Sequence, residues 1–196
     1  METQPPAPRK SEFREYLESV IIAVLLALVV RTFFFQAFVI PTGSMRPTLM
    51  ERDRILVEKV TYGIPIPFTS WRFSRVHAPR RGDIVVFRSL EDPQRDFIKR
   101  LAAVGGDTVE IRDTRLWINS LPLNDPPIFR ENVYYNRGTY AQSGRPVKVP
   151  EGYYFFLGDN SASSRDSRYW GFLPQENIIG RAFVTYWPLK RIRWLK

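Results

Sequence analysis

The longest apolar stretch of this chain lies near its N-terminus. Eleven uninterrupted apolar residues run from Val20 to Val30, and the apolar character resumes as F-F-F-Q-A-F-V-I after Arg31 and Thr32. Eleven residues are too few to cross a bilayer, which takes about 20, whereas residues 17–36 are enough. Arg31, near one end, can extend its guanidinium to the interface. We therefore predict a transmembrane anchor over residues 17–36.

A cleavable signal peptide has an apolar region of similar length and is the main alternative. However, no small-residue cleavage site of the A-x-A type follows, and the apolar character resumes beyond the first run. The preceding segment, residues 1–16, contains three basic residues, Arg9, Lys10 and Arg14. Because lysine and arginine favour the cytoplasmic side, we predict a cytoplasmic N-terminal segment and an extracytoplasmic domain over residues 37–196.

Beyond residue 50 the pattern changes to short strands broken by turns. β-Branched and aromatic residues cluster in seven segments bounded by Gly, Asp or Pro, a pattern typical of strands, at residues 54–60, 83–87, 96–102, 107–112, 115–119, 153–157 and 181–187. The fourth and fifth segments predict a hairpin that turns at Asp113 and Thr114. No helical period is evident beyond residue 41 apart from a turn at Pro174. The sequence therefore predicts a mainly β protein with an antiparallel β-sheet domain.

Two stretches do not fit this strand pattern. Residues 62–73, Y-G-I-P-I-P-F-T-S-W-R-F, are too apolar for an exposed loop and too rich in proline for a central strand. We interpret them either as core packing or as a segment that dips into lipid. Residues 120–150 are rich in Pro, Asn, Gly and Arg, and we interpret them as a loop or β-ribbon cap inserted between two halves of the core.

The composition excludes several kinds of catalytic and metal site. The chain has no cysteine, which excludes disulfides and thiolate chemistry, and its one histidine, His77, excludes a multi-histidine metal site. The net charge of +9 is compatible with binding to nucleic acid or to anionic lipid. Because the basic residues are scattered and no zinc-finger spacing or RNP-like motif accompanies them, we predict no nucleic-acid partner. We also predict no metal and no other cofactor. The C-terminal K-R-I-R-W-L-K fits a membrane-surface segment or a frayed polar tail.

A candidate nucleophile lies directly after the apolar segment, in V-I-P-T-G-S-M-R-P-T-L. Ser44 lies between Pro41 and Pro47, which keep the loop out of a helix or a central strand, and Gly43 lets another backbone approach closely. These are properties of a nucleophile loop and equally of a structural turn. At ~3.3–3.6 Å per residue, Ser44 is within roughly 30 Å of the end of the apolar segment, so it would act at or near the membrane surface.

Lys99 is the candidate base for this serine. His77 lies in a basic, proline-flanked loop, which leaves the lysines, and strand alternation places Phe97 and Leu101 on the same face as Lys99. Apolar neighbours desolvate an ammonium and lower its pKa from ~10.4, so that the neutral amine could accept a proton from Ser44. The alternative is a surface lysine whose ammonium reaches water.

Four motifs follow one another along the chain: P-T-G-S-M-R-P-T, R-G-D-I-V-V-F, F-I-K-R-L-A-A-V-G-G-D and G-D-N-S-A-S-S-R-D-S-R-Y-W-G. In this order they resemble the motifs of the bacterial type I signal peptidases. The resemblance covers roughly residues 20–188, and the one apolar segment is similar to that of the single-anchor members. It implies a largely antiparallel β catalytic domain with a small β-ribbon cap. It also implies a membrane-bound serine endopeptidase that removes N-terminal signal peptides from exported preproteins and cleaves after small residues at positions −1 and −3.

The resemblance also implies roles for individual residues. Ser44 matches the nucleophile and Lys99 the general base, while the backbone N–H of Ser44 and the hydroxyl of Thr42 match the oxyanion hole. Ser164 matches the serine that orients the lysine. Four residues match a supporting ionic cluster: Asp159, Asp166, Arg100 and Arg168. Two residues match positions that line the small-residue pockets: Ile40 and Ile98.

A location and partners follow from the same resemblance. The protein would cross the bacterial cytoplasmic (inner) membrane once, keep its catalytic domain on the extracytoplasmic side, and act on preproteins beside the export translocon and the lipid bilayer. An alternative of another class is a membrane-tethered, non-catalytic β module that binds polyanions or lipid and is indifferent to Ser44. A self-cleaving repressor of the SOS type shares a Ser-Lys dyad, but it would need a helix-turn-helix where this chain has its apolar segment.

Overall fold

The apolar N-terminal segment forms one helix that leads directly into β structure. The computed structural model describes residues 12–65, 72–73 and 77–195. Helix α1, Glu12–Val29, continues as a π-helical turn over Val30–Phe34. The span Phe13–Phe34 is long and apolar enough to cross a membrane, as the sequence predicted.

This helix ends two residues earlier than predicted. From Phe35 the backbone is extended and forms strand β1, Phe35–Val39, which pairs antiparallel with strand β2, Arg54–Glu58. A short apolar run cannot be assigned to helix or strand from its periodicity. Here the pairing with β2 decides the conformation, so the candidate membrane span is joined to the sheet without an intervening loop.

The remaining elements are short. The further strands are β3 Ile64–Pro65, β4 Arg72–Phe73, β5 Ile84–Arg88, β6 Asp96–Val104, β7 Thr108–Arg112, β8 Arg115–Ile118, β9 Leu121–Pro122, β10 Val147–Lys148, β11 Tyr153–Leu157, β12 Leu173–Pro174, β13 Ile178–Trp187 and β14 Arg193–Trp194. The further helices are α2 Ile128–Glu131 and α3 Ser167–Trp170. All seven predicted strands are present, with bounds shifted by at most three residues. The two-residue strands and one-turn helices are too short to leave a periodic pattern in the sequence.

Most of the strands form one antiparallel sheet, which confirms the predicted fold class. Its strand order is β1-β2-β13-β5-β6-β11-β12, and β14 pairs with β13 beyond the part of β13 that β5 covers. Several neighbouring strands of this sheet, such as β2 and β13, are distant in the sequence. It brings β1, which precedes Ser44, and β6, which carries Lys99, into the same sheet.

A second sheet of four strands, in the order β10-β7-β8-β9, forms a cap. The hairpin β7–β8 turns where the sequence predicted, because Asp113 and Thr114 adopt the positive φ values of 52° and 59° that a tight hairpin turn needs. This hairpin supplies the two central strands of the cap, whereas residues 120–150 supply the edge strands β9 and β10. The cap is thus larger than residues 120–150 alone.

Two apolar clusters lie on opposite faces of the main sheet. One contains Ile40, Met45 and Leu49 from the loop after β1, packed on the β5–β6 side chains Val86 and Ile98. The other is richer in aromatic side chains, and its buried members are Tyr62, Val85, Phe87, Leu101, Tyr154, Phe156, Leu173 and Ile178. Alternation along β6 therefore directs Ile98 to one cluster and Leu101 to the other. Phe97 packs against the same cluster as Leu101, which agrees with the shared face that strand alternation predicted for these two residues.

The first residue of the apolar stretch 62–73 belongs to the hydrophobic core. Tyr62 is buried, and its hydroxyl donates to Asp83 Oδ2 at 2.7 Å. Strands β3 and β4 then pair with each other. Residues 66–71, which include Phe68 and Trp71, lie outside the described residues, so contact of this stretch with lipid stays a prediction.

Candidate active site

Ser44 lies in a 3₁₀ turn, Gly43–Met45, within the loop that joins β1 to β2. The loop closes at its base because Ile40 N–H donates to the carbonyl of Asp53 at 2.9 Å. Met45 and Leu49 are fully buried and hold the loop against the sheet. Ser44 itself is 8% exposed, so most of the residue is shielded from solvent.

A second loop, which follows β11, holds the Ser44 turn from the other side. The backbone N–H of Asn160 donates to the carbonyl of Ser44 at 3.0 Å, and its side-chain amide donates to the carbonyl of Gly43 at 3.1 Å. Sequence analysis did not assign Asn160 to the site. Its place beside Asp159 in the G-D-N motif is the signal that could have indicated it.

Lys99 contacts the hydroxyl of Ser44. Its Nζ lies 2.9 Å from Ser44 Oγ and donates to the carbonyl of Ile98 at 3.0 Å. The Lys99 side chain is buried, with its amine 5.6 Å from the ring centroid of Phe97. Burial disfavours the ammonium and lowers the pKa of Lys99 to about 8, against the opposing attraction of the carboxylates of Asp166 and Asp159. This amine is therefore neutral in a far larger fraction of molecules near neutral pH than the amine of an ordinary lysine.

Two buried arginine–aspartate pairs support the loops around this contact. Arg100 Nε and Nη2 donate to the two carboxylate oxygens of Asp159 at 2.9 and 2.8 Å. Arg168 Nε and Nη2 donate to the two carboxylate oxygens of Asp166 at 2.8 and 2.8 Å. Each carboxylate is thus held by two parallel hydrogen bonds. The four residues predicted to form an ionic cluster are two separate pairs.

Ser164 is buried nearby, but its hydroxyl has no hydrogen-bond partner among the described residues. The expected hydrogen bond between Ser164 and Lys99 is therefore not formed in this structure. Ser164 reaches this position because Gly158 has no side chain. A Cβ on Gly158 would lie 2.2 Å from Ser164 Oγ and 2.6 Å from the Ser44 carbonyl oxygen, closer than any stable packing allows.

A groove of about 600 Å³ leads to Ser44. Its lining residues come from the Ser44 loop, from the start of β6 and from the loop after β11, and they are Pro41, Thr42, Ser44, Arg95, Asp96, Phe97, Ile98, Lys99, Ser163 and Arg165. Thr42 is exposed in it. Along one side, β6 pairs with β5 from residue 96 to residue 100, whereas β11 pairs with β6 only from residue 100 onward. One edge of β6 over residues 96–99 is therefore open among the described strands.

A side cavity of about 30 Å³ opens beside this groove. It is lined by Ile40 and Ile98, the two residues predicted to form small-residue pockets, together with Ile55 and Val86. These four side chains come from four different elements: the loop after β1, and the strands β2, β5 and β6. Because a water molecule needs roughly 10–15 Å³ of such space, the cavity fits a methyl group and little more.

Comparison with known proteins assigns the chain to a family. The family profile described as "Signal peptidase, peptidase S26" matches residues 13–187. The chain belongs to this signal peptidase family. Probable signal peptidase I-2 of Synechocystis sp. is 36% identical over 95% of this chain and 78% of the relative, and signal peptidase I of Leptolyngbya laminosa is 38% identical over 97% and 86%. A solved structure of a signal peptidase I from Enterococcus faecalis is 35% identical over 53% of this chain and 96% of that chain, with a TM-score of 0.42.

Membership of the signal peptidase family confirms the resemblance carried by the four motifs, and it makes this chain a serine endopeptidase. In this family member, the geometry brings together a serine hydroxyl and a buried, partly neutral amine at the end of a groove. Such a pair can exchange a proton, which is the first requirement of a serine nucleophile. His77 is exposed and is not part of the groove lining.

Proposed function

We propose that this chain is a membrane-bound serine endopeptidase with a Ser44–Lys99 dyad that removes N-terminal signal peptides from exported preproteins. The observation that carries the proposal is the 2.9 Å contact between a buried lysine amine and a serine hydroxyl at the end of a peptide-sized groove. The non-catalytic β module is disfavoured, because burying a lysine against a serine stabilises neither the fold nor the binding of a polyanion.

The proposed reaction begins with the neutral amine of Lys99. It takes the proton of Ser44 Oγ as this oxygen attacks the carbonyl carbon of the scissile bond. The backbone N–H of Ser44 and the hydroxyl of Thr42 donate to the oxyanion, where one such donor is typically worth about 10²- to 10³-fold in rate. The ammonium of Lys99 then returns the proton to the leaving amine, which leaves an acyl ester on Ser44. A water molecule, deprotonated by Lys99, hydrolyses that ester and regenerates both residues.

The open edge of β6 supports binding of the substrate as an added strand. An extended peptide placed there would form backbone hydrogen bonds with residues 96–98 and would present its scissile carbonyl to Ser44. Alternate side chains of such a peptide would point toward the sheet. The small cavity at Ile40 and Ile98 would accept alanine-sized side chains only, so we propose cleavage after small residues at positions −1 and −3.

Ser164 is proposed to orient the base. A buried hydroxyl without a partner costs about 1–3 kcal/mol. That cost would be recovered if the neutral amine of Lys99 turned so that one N–H donated a hydrogen bond to Ser164 Oγ while its lone pair faced Ser44. The two arginine–aspartate pairs, Arg100–Asp159 and Arg168–Asp166, are proposed to hold the strands and loops that make this arrangement rigid.

The membrane placement rests on α1. We propose that residues up to Phe34 form a cytoplasmic segment and one span of the bacterial inner membrane, and that the catalytic domain begins at Phe35 on the extracytoplasmic side. Since β1 follows the span directly, Ser44 stays close to the bilayer. A site held there would meet signal peptides as they emerge beside the export translocon.

Cleavage of a preprotein by the purified full-length protein tests this function. Wild type should release a mature protein whose new N-terminus, read by mass spectrometry, follows a small residue. Ser44→Ala should reduce turnover by at least ~10³-fold, because the nucleophile is absent, with folding unchanged. Ser143→Ala, at an exposed serine outside the groove, is the matched control. Turnover of Ser44→Ala within a few-fold of wild type would exclude Ser44 as the nucleophile.

A further inference from the structure

An ion pair beside the groove joins two loops that are distant in the sequence. Arg165, in the loop after β11, donates from Nε to Glu91 Oε2 at 2.7 Å and from Nη2 to Glu91 Oε1. Glu91 lies in the turn between β5 and β6, where its backbone N–H donates to Ser89 Oγ at 3.2 Å. Arg165 directly follows Ser164, which packs near Ser44. The Arg165 side chain therefore runs from the Ser44 end of the groove toward the β5–β6 turn.

The two faces of β6 present different charges to the groove. A backbone hydrogen bond of 3.0 Å to the carbonyl of Arg95 continues the β5–β6 pairing by one residue before Asp96. Strand alternation therefore places Arg95 on the same face as Phe97 and Lys99. Asp96 and Ile98 point to the opposite face and line the side cavity. The groove thus has its carboxylate on one face of β6 and its cations on the other.

Arg165 belongs to the same face as Phe97. It lines the groove together with Arg95, but neither arginine lines the side cavity. The guanidinium of Arg165 lies 5.5 Å from the ring centroid of Tyr169 in α3. The next residue, Trp170, packs against the cluster that also contacts Phe97. The loop after β11 therefore approaches β6 from the Phe97 face.

The carboxylate partners of the two arginines lie outside the groove. Arg95 Nε pairs with Asp92 Oδ2 at 3.0 Å, as Arg165 does with Glu91, and neither acid is among the residues that line the groove. A ligand in the groove therefore meets the guanidinium groups first. The pair with Glu91 uses two of the five N–H donors of a guanidinium, so Arg165 can donate to a further acceptor without releasing Glu91.

The proposed binding mode determines which substrate side chains face these arginines. Because β11 covers β6 from residue 100 onward, the residues before the scissile bond lie along residues 96–98 and run parallel to β6. Successive side chains of an extended peptide point to opposite faces. With the −1 and −3 side chains directed to the cavity at Ile98, the −2 side chain points to the face of Phe97. Arg165 is the charged wall of the groove on that face.

We propose that Arg165, supported by Arg95, forms a subsite that selects a carboxylate side chain at position −2 of the substrate and discriminates against lysine and arginine there. This inference rests on the proposed function and adds a charge preference to the size limit at −1 and −3. Arg165 is a specificity-determining residue, and Glu91 is a positioning residue, because it fixes the guanidinium of Arg165. The preference is modest, since an exposed ion pair changes affinity by only a few-fold.

A set of soluble peptides that differ only at −2 tests the preference. For the full-length protein in detergent at low ionic strength, kcat/KM should be about threefold higher with Glu than with Gln, and about threefold lower with Lys than with Gln. A further peptide exchanges the Glu at −2 with a Gln at +4, so that composition and net charge stay the same, and it should behave like the Gln peptide. Equal kcat/KM for the Glu, Gln and Lys peptides, or for the two exchanged peptides, would overturn the subsite.

A charge exchange within the ion pair assigns the preference to Arg165. Arg165→Glu combined with Glu91→Arg keeps a pair between the two loops but reverses the charge that faces the groove. The ratio of kcat/KM for the Glu and Lys peptides should fall from about ten to below one, and Arg165→Gln alone should bring it to an intermediate value. Arg145→Gln, at an exposed arginine of the cap, is the matched control and should keep the wild-type ratio. A wild-type ratio in both Arg165 variants would refute the assignment.

Binding to the Ser44→Ala variant separates this inference from the proposed function. Fluorescence anisotropy of labelled peptides should give the lowest Kd for Glu at −2, a higher Kd for Gln and for the exchanged peptide, and the highest Kd for Lys. This order should weaken at about 0.5 M NaCl, because salt screens exposed charges. If wild type cleaved no peptide, the proposed function would fail, and the order of Kd values would still decide the subsite. Equal Kd values would overturn it, whatever the cleavage result.

Discussion

In the proposed dyad, the protonation state of Lys99 sets the pH range in which the enzyme can work. An ordinary lysine with a pKa of ~10.5 is neutral in about one molecule in 3,000 at pH 7. Burial lowers the pKa of Lys99 to about 8. Its neutral fraction at pH 7 is then about one in eleven, a gain of roughly 300-fold in competent enzyme. This gain follows from desolvation alone, because the nearby Asp159 and Asp166 act in the opposite direction.

The pH dependence of turnover follows with a definite sign. In the proposed mechanism the neutral amine is the active form, so kcat/KM on a soluble peptide should rise tenfold per pH unit well below pH 8 and level off above about pH 9. Between pH 7 and pH 9 the neutral fraction rises from about one-eleventh to about ten-elevenths, so the expected increase is about tenfold. Carboxylates titrate too far below this range to produce the same profile.

The assay is steady-state cleavage of a fluorogenic peptide by the full-length protein in detergent, from pH 6 to pH 10. Lys99→Arg should be inactive throughout, because a guanidinium keeps its proton in this range. Lys148→Arg, at an exposed lysine of the cap, should reproduce the wild-type profile. A flat profile over these pH values, or an active Lys99→Arg enzyme, would refute the reasoning.

Three further predictions concern stability and packing. Lys99→Met should raise the free energy of unfolding by about 3 kcal/mol at pH 7. This gain should vanish as the pH rises from about 8 to ~10.5, because the lysine of the unfolded wild type then also becomes neutral. Urea unfolding that shows the same gain at pH 7 and at pH 10.5 would contradict this. Gly158→Ala should lower kcat more than 100-fold, whereas Gly144→Ala, where a Cβ meets nothing within 4 Å, should remain active in the same peptide assay. A truncated protein that begins at Phe35 should fold and cleave soluble peptide. One that begins at Ile40 should lose cooperative unfolding, because it lacks β1. Circular dichroism that shows both truncated proteins equally folded would contradict this prediction.

Local sequence patterns were sufficient to predict most of the longer secondary-structure elements of this protein. The long apolar helix, the seven longer strands and the hairpin turn at Asp113 and Thr114 follow from apolar run length, from alternation and from turn chemistry, which are properties of neighbouring residues. Strand alternation also placed Lys99 among apolar side chains before any fold was considered. The four motifs then indicated the family that the comparisons show.

Only the tertiary structure determined which residues distant in the sequence are in contact. β1 is a strand and not the last turn of the anchor, because β2 pairs with it across a loop. Asn160 holds the Ser44 turn from more than a hundred residues away. Arg191 reaches Asp53 across 138 positions, and no composition or period in a basic tail distinguishes that arginine from its neighbours. The physical reason is the same in each case: a local period reports which face of an element is buried, whereas the partner on that face is chosen by the packing of the whole chain.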